Sequence, residues 1–195
     1  MKIKVGISTC LLGEKVRYDG SHKLDRYLRD TLGVYVEWVP VCPEVESGLP
    51  VLREAMRLVG THTDFRLVTS KTHIDQTERL LGWSKTKARE LEAEALCGFV
   101  FKKRSPSSAL HDAKIYTQKG FPAGKGPGIF AGEFIRQFPL LPVEDEGRLN
   151  DDGIRENFIE RIFAVSRWRE FLQSDSSIKG LVEFHTRHKL LFMAH

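Results

Sequence analysis

The sequence predicts an α/β protein in which a mostly parallel sheet lies between layers of helices, in a Rossmann-like arrangement. Two observations lead to this fold class. Short apolar runs rich in β-branched residues alternate with segments of helical periodicity, which favours parallel strands joined by helical crossovers. The chain has 195 residues, 41% of them hydrophobic and 29% charged, which is the composition of a globular protein with its own buried core.

Five ranges predict strands because they are short, apolar and rich in β-branched or aromatic side chains. In chain order they are residues 3–8, 34–41, 66–69, 98–101 and 140–143. Residues 113–128 are rich in glycine and predict a loop or a hairpin.

Five further ranges have the spacing of apolar residues that predicts helices. In chain order they are residues 24–32, 72–96, 130–138, 154–172 and 181–195. Gly33 is a natural stop for the first helix, and Gly82 marks a break in the second. Polar residues 144–152 are interpreted as a linker, and residues 174–177 as a break before the last helix. This divides the chain into an α/β domain (1–150) and a helical extension (151–195).

Composition and charge argue against two classes of protein. No apolar run reaches the roughly 18 residues that a membrane span needs, and residues 1–9 lack the apolar core of a signal peptide. The formal charge of +4 does not by itself indicate nucleic-acid binding, and it suits small anionic or nucleotide-like ligands. Three widely spaced cysteines make no disulfide framework, so we expect a cytoplasmic protein whose thiols fill the core, bind metal or react.

Cys10 and Cys42 each follow a predicted strand directly. Ligands of open α/β sheets bind beyond the carboxyl ends of the strands, so we expect the two thiols to share one site. A lone cysteine is more often a buried apolar residue, but two at equivalent strand ends favour metal ligation or nucleophilic chemistry. Glu44 follows two residues after Cys42, and it is either an acid/base group or a solvated or helix-capping carboxylate.

A serine-rich run, Ser105-Pro-Ser-Ser108, follows the strand at residues 98–101. Its hydroxyls and amides suit a substrate or an anion, and they also suit a simple turn that caps the next helix. Cys97 stands at the start of that strand, which places it roughly 20 Å from the other two thiols. We therefore interpret Cys97 as a core residue, and as a third ligand only if the strand boundaries differ.

These short motifs together resemble the thiouracil desulfurase family, over residues 1–150. The matching motifs are Cys10-Leu-Leu-Gly13, Val16-Arg-Tyr-Asp-Gly20 with Lys23, Cys42-Pro-Glu44 with Gly48-Leu-Pro50, Cys97-Gly-Phe-Val-Phe-Lys102, Ser105-Pro-Ser107, Gly128-Ile-Phe130 and Leu141-Pro-Val-Glu144. The tail, from Asn157 onward, resembles the opening of a second uncharacterised domain that follows in longer members, so only a truncated part of that domain is expected here.

The resemblance implies a non-redox enzyme that removes sulfur from a thiolated pyrimidine nucleobase or nucleoside such as 2-thiouracil. It also implies a [4Fe-4S] cluster held by three cysteine thiolates, with the fourth iron open to the leaving sulfur. By the same resemblance, Glu44 and Ser105 are catalytic, and Asp19, Lys23 and Ser107 bind the substrate.

One position departs from the family pattern. The third cluster cysteine of the family falls on Ser108, and the glycine after it falls on Ala109. Because a serine hydroxyl is a hard, poor ligand for iron, three arrangements stay open: Ser108 ligates as an alkoxide, Cys97 reaches the site, or the cluster is absent or labile. The alternative function is a cluster-free relative that binds a nucleobase-like or anionic small molecule. The C-terminal helices are the expected surface for a homodimer or another partner.

Overall fold

The computed structural model describes residues 2–61, 63–174 and 177–194. Among these residues there are eight strands and six α-helices. The strands are β1 (Ile3–Ser8), β2 (Val36–Val41), β3 (Met56–Gly60), β4 (Phe65–Thr69), β5 (Phe99–Phe101), β6 (Ala113–Tyr116), β7 (Pro122–Gly126) and β8 (Val143–Asp145). The α-helices are α1 (Pro43–Glu46), α2 (Thr77–Ala93), α3 (Ile129–Gln137), α4 (Asp152–Ser174), α5 (Ile178–Arg187) and α6 (Lys189–Ala194). Short 3-10 or π-helical turns lie at Thr9–Leu12, Tyr27–Thr31, Leu32–Val34 and Arg148–Asn150.

The first sheet is fully parallel and has the strand order β2-β1-β5-β8. β1 pairs with β2 along its whole length and with β5 on its other side. Gly6 lets β1 and β5 approach closely, because a Cβ at that position would lie 2.2 Å from the Phe99 ring. Since all four strands run in one direction, the carboxyl ends of β1, β2 and β5 lie at the same edge.

Helices cover both faces of this sheet. On one face, Phe99 and Phe101 stack with ring centroids 4.3 Å apart and pack against Phe130 and Phe134 of α3, beside α2. On the other face, alternate strand residues such as Val5 and Val100 pack against the turn at Tyr27–Thr31 and against α4. The predicted α/β class, with a parallel sheet between helical layers, is confirmed.

A second, mixed sheet stands beside the first, with the order β4-β3-β6-β7. β3 pairs antiparallel with β4 and parallel with β6, and β6 and β7 form an antiparallel hairpin. Its buried residues Leu58, Leu67 and Ile115 pack with Leu80 of α2. The sequence prediction of one sheet was therefore incomplete: the strand at 66–69 belongs to the second sheet, and β3 was missed because its short run contains Arg57. Of the loop or hairpin expected at 113–128, the structure has the hairpin.

Several predicted boundaries differ from the observed ones. The helix expected at 24–32 is instead a π-helical turn followed by a 3-10 turn, with the amide of Leu28 donating to Asp25 Oδ1 at 3.0 Å. α2 passes through Gly82 without a break. A single glycine costs a helix only about 1 kcal/mol relative to alanine, which is too little to end it. The strand expected at 140–143 lies at Val143–Asp145 and extends into the predicted linker.

The C-terminal helices begin with α4, whose first half packs onto the α/β core. Phe158 and Ile162 are 1% and 0% exposed and lie beside β1. The last predicted helix is divided at His188 into α5 and α6, while residues 175–176 of the predicted break and His195 lie outside the described residues. The domain division at residue 150 stays a prediction. No helix within the described ranges is long and apolar enough to cross a membrane.

Candidate functional site

A cavity of about 510 Å³ opens at the carboxyl edge of the parallel sheet. The strand order reverses at this edge, since β2 and β5 lie on opposite sides of β1. Open α/β sheets bind their ligands at such a point. The predicted site residues on the cavity wall are Cys10, Lys23, Cys42, Glu44, Ser105 and Ser108.

The two cavity thiols are held by backbone turns that directly follow β1 and β2. Cys10 lies in the 3-10 turn Thr9–Leu12, which ends at Gly13 with a left-handed φ of 99°. The carbonyl of Cys10 accepts a hydrogen bond from the amide of Lys23 at 2.9 Å. Cys42 is the N-cap of α1, and its amide donates to Glu46 Oε1 at 2.7 Å. The strand-end placement predicted for both thiols is therefore what the fold has.

Burial raises the pKa of Cys10 to about 11 and that of Cys42 to about 12. The positive charge of Lys102 acts against this shift at Cys10, and the backbone amide of Val45 does so at Cys42. The negative charge of Glu44 raises the pKa of both thiols further. Both are free thiols, so they are protonated at neutral pH until a bound cation displaces the protons.

Cys97 lies away from this cavity, two residues before β5. Its amide donates to the carbonyl of Lys4 at 2.8 Å, and its sulfur lies 3.8 Å from Arg169 Nη1 on α4. The cavity wall contains Ser108 and not Cys97. Of the two residues considered for a third ligand, Ser108 is the one that the fold brings to the other thiols.

The serine loop after β5 is fixed by its own hydroxyl groups and by α3. Ser105 Oγ accepts from the amides of Ser107 and Ser108 at 3.3 and 3.2 Å. The carbonyl of Ser107 accepts from the amide of Phe130 at 2.9 Å, in the first turn of α3. Gly128 lies so close that a Cβ there would be 2.4 Å from the carbonyl carbon of Ser107. The loop is therefore a rigid wall of the cavity.

A continuous hydrogen-bond chain connects the serines to Cys42 through Glu44. Ser107 Oγ donates to Glu44 Oε1 at 2.6 Å, and the other carboxylate oxygen lies 3.7 Å from Cys42 Sγ. Ser105 Oγ and Ser108 Oγ lie 2.9 and 3.3 Å from Ser107 Oγ. Because Ser107 has one proton and gives it to Glu44, the other two hydroxyls can only donate to Ser107. Protons can thus move along this chain toward the carboxylate.

The remaining predicted substrate residues take different positions. Lys23 is on the cavity wall, while Ser107 is fully buried behind it. Asp19 does not reach the wall: it accepts from the amide and hydroxyl of Ser21 at 3.1 and 2.6 Å, and these hydrogen bonds lower its pKa. Asp19 Oδ1 also lies 3.5 Å from Nε of Arg17, which does line the cavity.

Most of the charged residues on the wall were missed in the sequence. Among the described residues the wall has six cations and two acids: Arg17, Lys23, Arg53, Lys102, Lys103, Arg104, Glu44 and Glu54. Lys102 directly follows β5, and its amide donates to Ser8 Oγ at 2.9 Å, so the strand-end argument could have found it. Arg53 lies in a loop and has no comparable signal. The excess of cations suits a ligand with negative charge.

The donor atoms at the cavity set what metal group it can hold. Within the described ranges, no three His, Cys, Asp or Glu side chains are grouped to hold a metal ion. The cavity offers two thiols and the hydroxyl of Ser108, which is 3% exposed. Iron–sulfur clusters are held by cysteine thiolates, so two positions fit directly and the third fits as an oxygen donor. The donor set is therefore two sulfurs that suit an iron–sulfur cluster and one hydroxyl oxygen, which is a weak ligand for iron.

Known proteins match the part of the chain that forms this cavity. A family model described as 2-thiouracil desulfurase matches residues 5–146, which include both cavity thiols and the serine loop. Among solved structures, the [4Fe-4S]-dependent thiouracil desulfidase TudS (DUF523Vcz) is similar, with 29% sequence identity and a TM-score of 0.61. The similarity covers 76% of this chain and 94% of that one. The curated proteins give no match.

Proposed function

Because the chain belongs to the 2-thiouracil desulfurase family, we propose that it removes sulfur from a thiolated pyrimidine nucleobase or nucleoside in the cavity beyond β1, β2 and β5. The observation on which the proposal depends is that Cys10, Cys42 and the hydrogen-bond chain of Glu44 meet at one cavity. The similar desulfidase, which is [4Fe-4S]-dependent, supports it further.

Cys10, Cys42 and Ser108 are the residues that would hold a [4Fe-4S] cluster. When bound, the cluster supplies an iron with an open position that attracts soft sulfur. Lys102 beside Cys10 and Arg53 beside Cys42 offset the negative charge that the two thiols acquire as ligands. The hydroxyl of Ser108 makes this set weaker than three thiolates.

The chain's own residues supply the proton chemistry. In the reaction, a water oxygen bonds to the ring carbon, the carbon–sulfur bond breaks and the sulfur leaves as hydrosulfide, with no net oxidation or reduction. The carboxylate of Glu44 accepts a proton from the attacking water. Ser107 fixes the orientation of that carboxylate, and Ser105 donates into the same chain. Of the two protons of the water, one passes to Glu44 and the other leaves with the sulfur as hydrosulfide, and Glu44 then releases its proton to solvent.

Residues that line the cavity, or that act on its lining residues, contact or orient the substrate. Lys23 donates to an oxygen of the ring or of an attached ribose, and Ser107 acts through Glu44. Asp19 acts indirectly, by holding the Arg17 guanidinium at the cavity.

Anaerobic reconstitution with iron and sulfide, followed by incubation with 2-thiouracil, tests the proposal. We expect uracil and hydrosulfide in equal amounts. Glu44→Gln is expected to lower turnover by about 100-fold or more without loss of iron, because it removes the proton acceptor. Glu54→Gln is the matched control: Glu54 lines the same cavity but bonds to Thr72 and not to the serine chain. A chain with a full cluster that releases no hydrosulfide contradicts the proposal, as does equal turnover in the two variants.

A further inference from the structure

Arg53 is a buried cation whose role no sequence motif indicated. Its side chain is 9% exposed, while that of Glu44 beside it is 14% exposed. Arg53 Nη2 lies 3.9 Å from Glu44 Oε2. Among the described residues, no other Lys or Arg side chain lies within 4 Å of this carboxylate. A mostly buried carboxylate next to two prospective thiolates is costly unless a cation balances it.

The other donors of Arg53 tie together the loops that follow Cys10 and Cys42. Its Nη1 faces three carbonyl oxygens, those of Val16 at 3.2 Å, Pro50 at 3.0 Å and Val51 at 3.1 Å. Its backbone amide donates to the carbonyl of Tyr18 at 3.1 Å. The guanidinium is therefore immobilised by backbone groups of two loops, and its position relative to the carboxylate is set by the fold.

Nε and Nη2 form the edge of the Arg53 guanidinium that makes no contact with these carbonyls, and Nη2 points toward Glu44. Among the described residues, Nε of Arg53 is buried and has no hydrogen-bond partner, and Nη2 has only the long contact with Glu44. Together Nε and Nη2 form the fork that matches a carboxylate. A purely structural arginine would have this fork satisfied by backbone or solvent, since an unpaired buried donor is costly.

We propose that Arg53 is a positioning residue, which balances the charge of Glu44 and holds its carboxylate against the serine chain and the cavity. Arg53 does not react itself. Its effect on catalysis rests on the proposed desulfurase function, whereas its effect on Glu44 in the cluster-free chain does not.

A double-mutant cycle in the cluster-free chain tests the pair independently of activity. Arg53→Gln is expected to lower the urea midpoint, because the carboxylate is left buried without its cation. In a Glu44→Gln background the same substitution should cost less than about half of that shift. Arg17→Gln is the control, since Arg17 pairs with Asp19 and should cost the same in both backgrounds. Equal shifts for Arg53→Gln in both backgrounds overturn the proposal.

Turnover of the reconstituted chain tests the consequence for catalysis. Arg53→Gln should lower kcat, expressed per bound cluster, by about tenfold or more, with KM within about threefold. Arg53→Lys, which keeps the charge but loses the fork, should recover part of the lost kcat. If lysine and glutamine lower kcat equally, charge balance is not the role of Arg53. If the wild-type chain has no activity at all, the proposed function fails while the unfolding cycle still decides the pairing.

Discussion

At the scale of single residues, the two cavity thiols lie in surroundings that favour the protonated form and yet have cations beside them. Burial raises the pKa of Cys10 to about 11 and that of Cys42 to about 12, while the charges of Lys102 and Arg53 act in the opposite direction. A bound metal group supplies the positive charge that shifts this balance. We therefore expect these thiols to stay unreactive in the empty chain, and under the proposed function they become ligands when iron is present.

The cluster-free chain should accordingly resist alkylation. At pH 8, Cys10 and Cys42 should react with iodoacetamide at least about tenfold more slowly than an ordinary thiol, because little thiolate is present. The rate should rise with pH until about 11 for Cys10 and about 12 for Cys42. Peptide mass spectrometry assigns the sites, and the urea-unfolded chain is the control. A rate that levels off near pH 9 contradicts the burial argument.

The same shifts give a sign for stability against pH. Both folded pKa values lie above the ordinary 9.0, so folding favours the protonated thiols. This contribution is complete below pH 9.0 and is lost as the pH rises through the folded values.

Substitution of Ser108 should change how firmly the cluster is held. Ser108→Cys should slow the loss of iron to a chelator by about tenfold or more, because a soft thiolate replaces a hard oxygen. Ser108→Ala should lose iron fastest, since it has no donor. Cys97→Ala is the control and should match the wild type, as Cys97 lies off the cavity. Equal loss rates in the three Ser108 forms, or a cluster that depends on Cys97, contradict the assignment.

The sequence located the thiols and the carboxylate but not their electrostatic partners. Cys10 and Cys42 were identified because strand ends meet at one edge of a parallel sheet, an argument that needs only local pattern. Arg53 could not be found in this way, because its contacts come from carbonyls as distant in the chain as Val16. Asp19 does not line the cavity, because its carboxylate accepts a hydrogen bond from the hydroxyl of the neighbouring Ser21.

At the scale of elements, the site depends on how α3 meets the loop after β5. The first turn of α3 donates to the carbonyl of Ser107, and Gly128 leaves no room for a side chain there. The family motif Gly128-Ile-Phe130 thus has a packing reason. The second sheet could not be predicted from the sequence. Its short strands β3 and β4 pair antiparallel, and the periodicity of a strand does not specify its partner.

Gly128→Ala should therefore displace the serine loop. The added Cβ would lie 2.4 Å from the Ser107 carbonyl carbon, so we expect a loss of about 1–3 kcal/mol in unfolding free energy and about 100-fold in turnover. Gly82→Ala in α2 is the matched control. No atom of the described residues lies within 4 Å of its Cβ position, so this variant should gain about 1 kcal/mol in unfolding free energy and keep its turnover. Urea unfolding and hydrosulfide release measure both. Similar behaviour of the two variants contradicts the packing argument.

At the scale of the whole molecule, α4 joins the C-terminal helices to the α/β core. Phe158 and Ile162 are buried beside β1, whereas α5 and α6 expose apolar side chains such as Val182 and Leu190. A contact of these helices with a partner stays a prediction. The sequence indicated the helices from their periodicity, but which part of α4 belongs to the core depends on tertiary packing.

Truncation of Phe158 tests this attachment. Phe158→Ala should lower the free energy of unfolding by about 3–5 kcal/mol, because it opens a cavity in the core under β1. Leu190→Ala, at a side chain that is 83% exposed, should change it by less than about 0.5 kcal/mol. Urea unfolding followed by tryptophan fluorescence provides the comparison. An unchanged stability in Phe158→Ala means that the helical extension is separable from the α/β part.

The position of iron in the folded chain decides whether Cys10, Cys42 and Ser108 are its ligands. Anomalous diffraction at the iron edge, from crystals of the anaerobically reconstituted chain, should place a group of irons in the cavity, with a different iron within bonding distance of each of Cys10 Sγ, Cys42 Sγ and Ser108 Oγ. An iron peak beside Cys97, or no ordered iron in the cavity of a chain that retains a full complement of iron, would contradict the account.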